Sequence, residues 1–202
     1  MKRRLLLSSL LAAPLAARAG AQVEEPLADS MRSALSASIA QSAPPRPRFE
    51  PNQVDERMAY LRWLGGMSER LKKRLSETQI RIEFLETVWY EAKRAGLEPS
   101  LVLGLVQVES GFRKYAISIA GARGYMQVMP FWTKLIGDGD AARLFHMQSN
   151  LRFGCVILRH YLDMEKGDLY LALGRYNGSR GRPEYPNAVF AARRQWLLPG
   201  EK

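Results

Sequence analysis

One carboxylate in this 202-residue chain stands where a carboxylate is costly. Leu101 to Val108, LVLGLVQV, carries apolar side chains on nearly every face of a helix and runs directly into Glu109, followed by Ser110-Gly111-Phe112. A helix that is apolar all round belongs to a core. Glu109 follows Leu105 and Val106 by about one turn and shares their side. It also sits in the last turn, where the negative end of the helix dipole disfavours a second negative charge. Desolvation and dipole both raise a carboxyl pKa, which is what a general acid working near neutrality requires. By position alone, two ordinary roles stand beside this one: a boundary glutamate turned to solvent as the helix ends at Gly111, or a salt bridge to Arg113 or Lys114.

The remaining inventory excludes several chemistries. The two histidines, His146 and His160, lack the spacing of a metal-binding pair, so no metal is expected. GARG, the glycine pair at 121–124, has neither the lysine nor the spacing of a phosphate loop. No other cofactor motif occurs. The single cysteine, Cys155, forbids an intrachain disulfide and lies in the apolar run FGCVIL, where it reads as a small buried hydrophobe.

The elements that must position Glu109 read as helices almost throughout. Short helices are expected over 53–64 and 68–75, separated by Gly65-Gly66. A longer one follows Ser76-Glu77-Thr78 and stops at Gly96, and the next begins at Pro99 and ends at Gly111. Gly104 leaves room in it for a close backbone approach. Pro130 opens another short helix, Asn150 to about Lys166 forms a long amphipathic one, Leu169 to Tyr176 a shorter one, and Asn187 to Leu198 the last. Only the stretch between Ala116 and Val128 invites a small irregular hairpin. Strands and helices do not alternate, so a doubly wound sheet is excluded, and there are no internal repeats.

The N-terminus, MKRRLLLSSLLAAPLAARAGAQ, joins a basic start to an apolar run and two small-residue cleavage patterns ending at Ala19 and Ala21. Residues 1–21 are therefore expected to be a secretory signal peptide, too short for a membrane span, leaving no transmembrane segment after cleavage. No cysteine at the cleavage region offers a lipid attachment point. Residues 22–52, rich in Ala, Ser and Pro, read as a flexible tether, although ADSMRSALSASIAQ within it could form a weak helix; the folded domain spans 53–202. The formal charge is +10. Four of the 30 basic residues and none of the 20 acidic ones fall in 1–21, which leaves +6. That suits an anionic surface such as cell-wall polymer, phospholipid or nucleic acid without choosing among them.

From Glu109 the sequence reads ESGFRKYAISIAGARGYMQVMP; Asn150-x-x-x-Gly154, RHYLD, LALGRYNGS and GRPEYPNAV follow. This set, in this order and spacing, resembles the lytic transglycosylase domain of the soluble (family 1) type, within the lysozyme-like superfamily, over roughly Leu75 to Leu198. The resemblance implies a mainly α (α+β lysozyme-like) fold: a compact helical domain with a small irregular hairpin and the catalytic glutamate at a helix C-terminus. It implies that Glu109 is the sole acid/base, cleaving the bond between N-acetylmuramic acid and N-acetylglucosamine with formation of a 1,6-anhydromuramyl end. Tyr176 would position the acid. Ser118, Gln127, Met129 and Asn177 would bind substrate, Ser118 near the muramic acetamido group. No cofactor is implied. The partner would be peptidoglycan glycan strands in the periplasm, not nucleic acid, with cell-wall or secretion-machinery proteins as further candidates.

The residues agree with one-carboxylate chemistry. An ordinary glycosidase flanks the bond with two carboxylates, yet no acidic residue lies between Phe112 and Ile136, and Asp138 and Asp140 sit in a glycine-bearing loop. The substrate's own acetamido group can stabilise the sugar cation instead. Tyr125, Met129 and Phe131 offer apolar surface for sugar faces, or ordinary core packing. Two departures stand out: Tyr125 where many relatives carry leucine, and Arg175 before Tyr176-Asn177-Gly178-Ser179 where many carry a small residue. Both bear on subsite preference. A goose-type lysozyme-like hydrolase using water, and a catalytically silent glycan-binding module of a secretion apparatus, are the alternatives.

Overall fold

Eight α-helices carry most of the described residues, and two of them meet at a glycine. The computed structural model describes residues 22–40, 47 and 49–200; the signal-peptide expectation lies outside them. In chain order the helices are α1 (Asp29–Ile39), α2 (Val54–Leu71), α3 (Thr78–Arg94), α4 (Pro99–Glu109), α5 (Phe131–Ile136), α6 (Met147–Met164), α7 (Leu169–Asn177) and α8 (Glu184–Arg193). Short 3₁₀ turns follow at Ala141–Phe145 and Arg194–Trp196. The mainly α expectation agrees with this. The only β pairing among the described residues is two isolated antiparallel bridges, Ile117 with Arg123 and Arg123 with Val128, in the stretch expected to form a small hairpin.

Three boundaries differ from those expected. α2 runs unbroken through Gly65-Gly66. Each glycine costs about 1 kcal/mol in a helix, and burial of Tyr60, Trp63, Met67 and Leu71 along one face outweighs that. α8 begins before Pro186: proline in a first turn removes an N–H that has no intrahelical partner there. α6 begins at Met147, a turn earlier than Asn150. Within the segment read as a tether, residues 29–39 form α1, with Leu35 buried in the core.

α4 is the central helix. All but two of its residues are buried, and α8 crosses it so closely that a Cβ on Gly104 would lie 2.7 Å from the Arg193 backbone nitrogen and 3.1 Å from the Val189 carbonyl oxygen. Gly104 thus faces residues 189–193 while Glu109, farther along α4, faces Tyr185. The two helices are antiparallel, and this contact sets what stands over the carboxyl.

The loop from Ala116 to Val128 is seated on α6. Asn150 spends its whole carboxamide on it: Oδ1 accepts from the Met126 N–H at 2.8 Å, and Nδ2 donates to the Arg123 and Leu144 carbonyls, each at 2.8 Å. One turn on, Gly154 leaves the space that Met126 fills, since a Cβ there would lie 2.3 Å from its sulfur. The Asn-x-x-x-Gly spacing is a socket: polar for the backbone, hollow for the side chain. Gly154→Ala is expected to destabilise the protein by about 1–3 kcal/mol through overpacking, read as a lower urea midpoint. A double-mutant cycle with Met126→Ala should return a favourable coupling, because truncating Met126 relieves the clash.

Candidate active site

Glu109 is the last residue of α4 and is only 4% exposed. That removes both ordinary readings: the carboxyl is not turned to solvent, and Arg113 donates instead to the Ser110 carbonyl at 2.8 Å. One carboxyl oxygen, Oε1, accepts a short hydrogen bond from the Tyr185 hydroxyl. The other, Oε2, is buried without a partner. Burial pushes the carboxyl pKa up to about 8, and the Tyr185 hydrogen bond offsets part of the rise by favouring the anion. At neutral pH Glu109 is therefore mostly a neutral acid with one oxygen held by a phenol.

Tyr185 is the residue that the sequence reading missed. Its hydroxyl and ring are buried in the first turn of α8, and burial and the neighbouring carboxylate both raise its own pKa. The tyrosine that the resemblance assigned to positioning the acid, Tyr176, is placed differently. Its hydroxyl donates to the Met126 carbonyl at 2.8 Å. Glu109 is close enough for its charge to raise the Tyr176 pKa, but the hydroxyl that meets the carboxyl belongs to Tyr185. The signal for Tyr185 was present in GRPEYPNAV; nothing short of the α4–α8 crossing singles it out there.

Several motif side chains converge on one stretch of backbone beside the acid. The Ser110 hydroxyl donates to the Tyr125 carbonyl at 2.7 Å, Asn150 takes the Met126 N–H, and Tyr176 takes the Met126 carbonyl. Gln127 adopts a φ of +50°, a left-handed conformation that costs energy for a non-glycine residue. It is held by its own Nε2, which donates to the Gly124 carbonyl at 2.9 Å and the Ala116 carbonyl at 3.1 Å. Both amide hydrogens of Gln127 are therefore spent inside the loop. Tyr125, 2% exposed, packs its ring 4.9 Å from that of Phe84 and is core rather than sugar-facing.

The other expected binding residues are arranged around this loop. Ser118 accepts from the Ala122 N–H at 3.1 Å and closes the turn that carries it. Met129 and Phe131 are half-buried at the start of α5. Asn177 is buried at the end of α7, which Gly178 terminates in the left-handed conformation. Arg175 points away from Glu109, donating to Glu165 at 2.8 Å and to Glu25 at 2.7 Å. Asp138 and Asp140 lie in an exposed loop, Asp138 paired with Arg143. Among the described residues no cluster of three His, Cys, Asp or Glu side chains is assembled that could hold a metal ion, and no helix is long and apolar enough to cross a membrane.

The buried acid at a helix end, the phenol that faces it and the loop held by Ser110, Gln127, Asn150 and Tyr176 all fall within one stretch that a family model matches. The model of the Transglycosylase SLT domain matches residues 86–196, more than half of the chain, and the chain belongs to that family. Among individual proteins it is similar to the membrane-bound lytic murein transglycosylase C of Actinobacillus pleuropneumoniae serotype 5b (strain L20), 42% identical over 84 residues, covering 38% of this chain and 23% of the relative. It is also similar to the transglycosylase of Enterobacteria phage PRD1, 33% identical over 104 residues, covering 52% of this chain and 38% of the relative. The chain thus spans between about a quarter and two-fifths of these relatives. Among solved structures, lytic transglycosylase Slt from Pseudomonas aeruginosa, an inactive mutant, matches with 24% identity and a TM-score of 0.45 over 69% of this chain and 27% of that one.

The carboxyl's environment has a thermodynamic consequence. A pKa of about 8 in the folded state against 4.5 in an open chain means that the folded form holds its proton more tightly. Its contribution to stability is intact below about pH 4.5 and is lost as pH rises through about 8, at about 1.4 kcal/mol per unit. The difference in unfolding free energy, wild type minus Glu109→Gln, should therefore fall steadily between pH 5 and 8 in urea titrations.

Proposed function

We propose that this chain is an exported peptidoglycan lytic transglycosylase in which Glu109 alone serves as acid and then as base. The observation that carries the reading is the buried Glu109, its pKa raised by burial, bonded to Tyr185 within a transglycosylase-family domain. In the first step the Glu109 carboxyl gives its proton to the glycosidic oxygen between N-acetylmuramic acid and N-acetylglucosamine, and the C1–O bond breaks. The carboxylate left behind is stabilised by the Tyr185 hydroxyl, which favours the anion. In the second step it takes the proton of the muramic 6-hydroxyl as that oxygen bonds to C1. The 1,6-anhydro ring closes, no water is consumed, and Glu109 returns to its starting state.

A single carboxyl suffices because the substrate supplies the rest. Glycosidases that use two carboxylates hold them about 5–10 Å apart across the bond. Burial raises the Glu109 pKa and the Tyr185 hydrogen bond offsets part of the rise, with no second carboxylate among the causes. The acetamido group of the muramic residue takes the nucleophilic part, and Ser118, Met129 and Asn177 contribute to the glycan groove. Export to the periplasm follows from the signal-peptide character of residues 1–21.

Digestion of purified sacculi followed by mass spectrometry tests the reaction: 1,6-anhydromuramyl ends are expected, and reducing muramic ends in their place would mean a lysozyme-like hydrolase. Glu109→Gln should lower the rate at least about 100-fold while leaving the fold intact by circular dichroism. Because the acid must be protonated in the free enzyme, kcat/KM should decline as pH rises through about 8. In Tyr185→Phe the hydrogen bond that lowers the Glu109 pKa is gone, so the same decline should shift to higher pH, with a reduced plateau.

A further inference from the structure

The segment ahead of α1 lies on the site. Gln22 is 5% exposed. Its Oε1 accepts from the Trp132 indole N–H at 3.0 Å and from the Met129 backbone N–H at 3.3 Å. Its carboxamide also comes within interaction range of the Tyr176 hydroxyl. Three residues on, Glu25 pairs with Arg175 at 2.7 Å. The strap thus touches Met129, Tyr176 and the residue preceding Tyr176, in the two motifs that the resemblance assigns to glycan binding and to positioning the acid, although Gln22 and Glu25 lie far outside the matched domain, 86–196.

Its placement is specific at one end and loose at the other. The strap runs directly into α1, whose last carbonyls are gripped by two arginines. Arg94 donates to Ser38 at 2.9 Å and Arg152 to Ile39 at 3.4 Å, and both arginines are held at 2.9 Å by the fully buried Glu91. At the strap itself the fit is poor. Gln22 Nε2 is buried and makes no well-formed hydrogen bond, with only the Tyr176 hydroxyl near it, a net cost, and the Glu25–Arg175 pair is partly exposed, the weak kind. Meanwhile Glu109, which must reach a glycosidic oxygen, is shut from solvent with Oε2 unpartnered. Two buried polar atoms, one on the strap and one on the acid, make no well-formed hydrogen bond while the site is closed.

We infer that residues Gln22–Leu27 form an autoinhibitory strap that occupies the glycan groove and is displaced by the glycan. Resting on the reading of Glu109 as a glycan-cleaving acid, the inference adds how access to it is governed. Displacement returns the Gln22 carboxamide to water, frees the Met129 and Trp132 N–H groups for carbonyl or hydroxyl oxygens of an N-acetylated sugar chain, and gives Glu109 Oε2 a hydrogen-bond acceptor. Arg175, the departure from the family pattern at this position, is the strap's electrostatic anchor.

The test uses the full-length chain with Glu109→Gln in the background, and a hexamer of N-acetylglucosamine as the probe. Gln22→Ala and, separately, Glu25→Lys should each bind it several-fold more tightly, approaching about tenfold if the open form is a tenth of the population. Adding the hexamer to the parent should raise amide hydrogen exchange across residues 22–28. The two substitutions break different contacts, so a folding defect in one leaves the other decisive; thermal melts report which variants are folded. Unchanged or weaker binding in the folded variants, or unchanged exchange at 22–28 when the hexamer binds, would overturn the strap. Product analysis on sacculi is separate: anhydro ends with no tightening defeat the strap alone, whereas tightening without anhydro ends defeats the proposed reaction alone.

Discussion

A carboxyl taken out of water has to be neutralised, paired or hydrogen-bonded, and the hydrogen bond between Tyr185 and Glu109 is how this fold accommodates one. The bond requires two helices to lie almost backbone to backbone. Gly104 permits that approach, because any Cβ there would strike α8. Trp196, just past α8, returns to α4 through its indole N–H on Gln107 at 2.9 Å, and Arg193 donates to the Ser100 hydroxyl at 3.3 Å, so the crossing is pinned on both sides of the glycine. The acidity of Glu109 is in this sense a property of helix packing: the distance between two helix axes decides whether the proton is held or released near neutrality.

The polar residues around the acid act on backbone. Ser110, Asn150 and Tyr176 are buried, and each holds backbone of Tyr125 or Met126. The loop also carries backbone hydrogen bonds of its own, such as Gly124 to Ala116 and the reciprocal pair of Arg123 and Val128, and the buried groups these leave are met by side chains. Together they hold Gln127 in its left-handed conformation.

How much of this was legible follows from the range of the interactions. Periodicity, Pro99 and Gly111 located α4 and put Glu109 at its end. The apolar run before it correctly signalled burial, because these are local properties of a helix. Gly104 was readable as a close-approach position, but not which helix approaches. Tyr185, 76 residues away, was invisible because its role exists only once α8 crosses α4. Tyr176 was read by motif as positioning the acid; its hydroxyl bonds to Met126, near enough to Glu109 for the carboxylate's charge to raise its pKa. The continuous α2 was misjudged where two glycines suggested a break, since tertiary burial overrides local propensity.

The triad of buried Glu91 and Arg152 with half-buried Arg94 carries a consequence for the strap beyond fixing α1. Since α1 is fastened to the core and the strap is its direct continuation, a released Gln22 remains leashed. Seven extended residues reach about 23 Å, which confines it near the groove at an effective concentration on the order of millimolar or above. A poorly fitting wedge can then compete with a glycan arriving from solution. Its competition cannot be diluted away, and it resumes as each product leaves. The closure is set by geometry inside one molecule, so it is the same in a crowded wall and in a dilute tube.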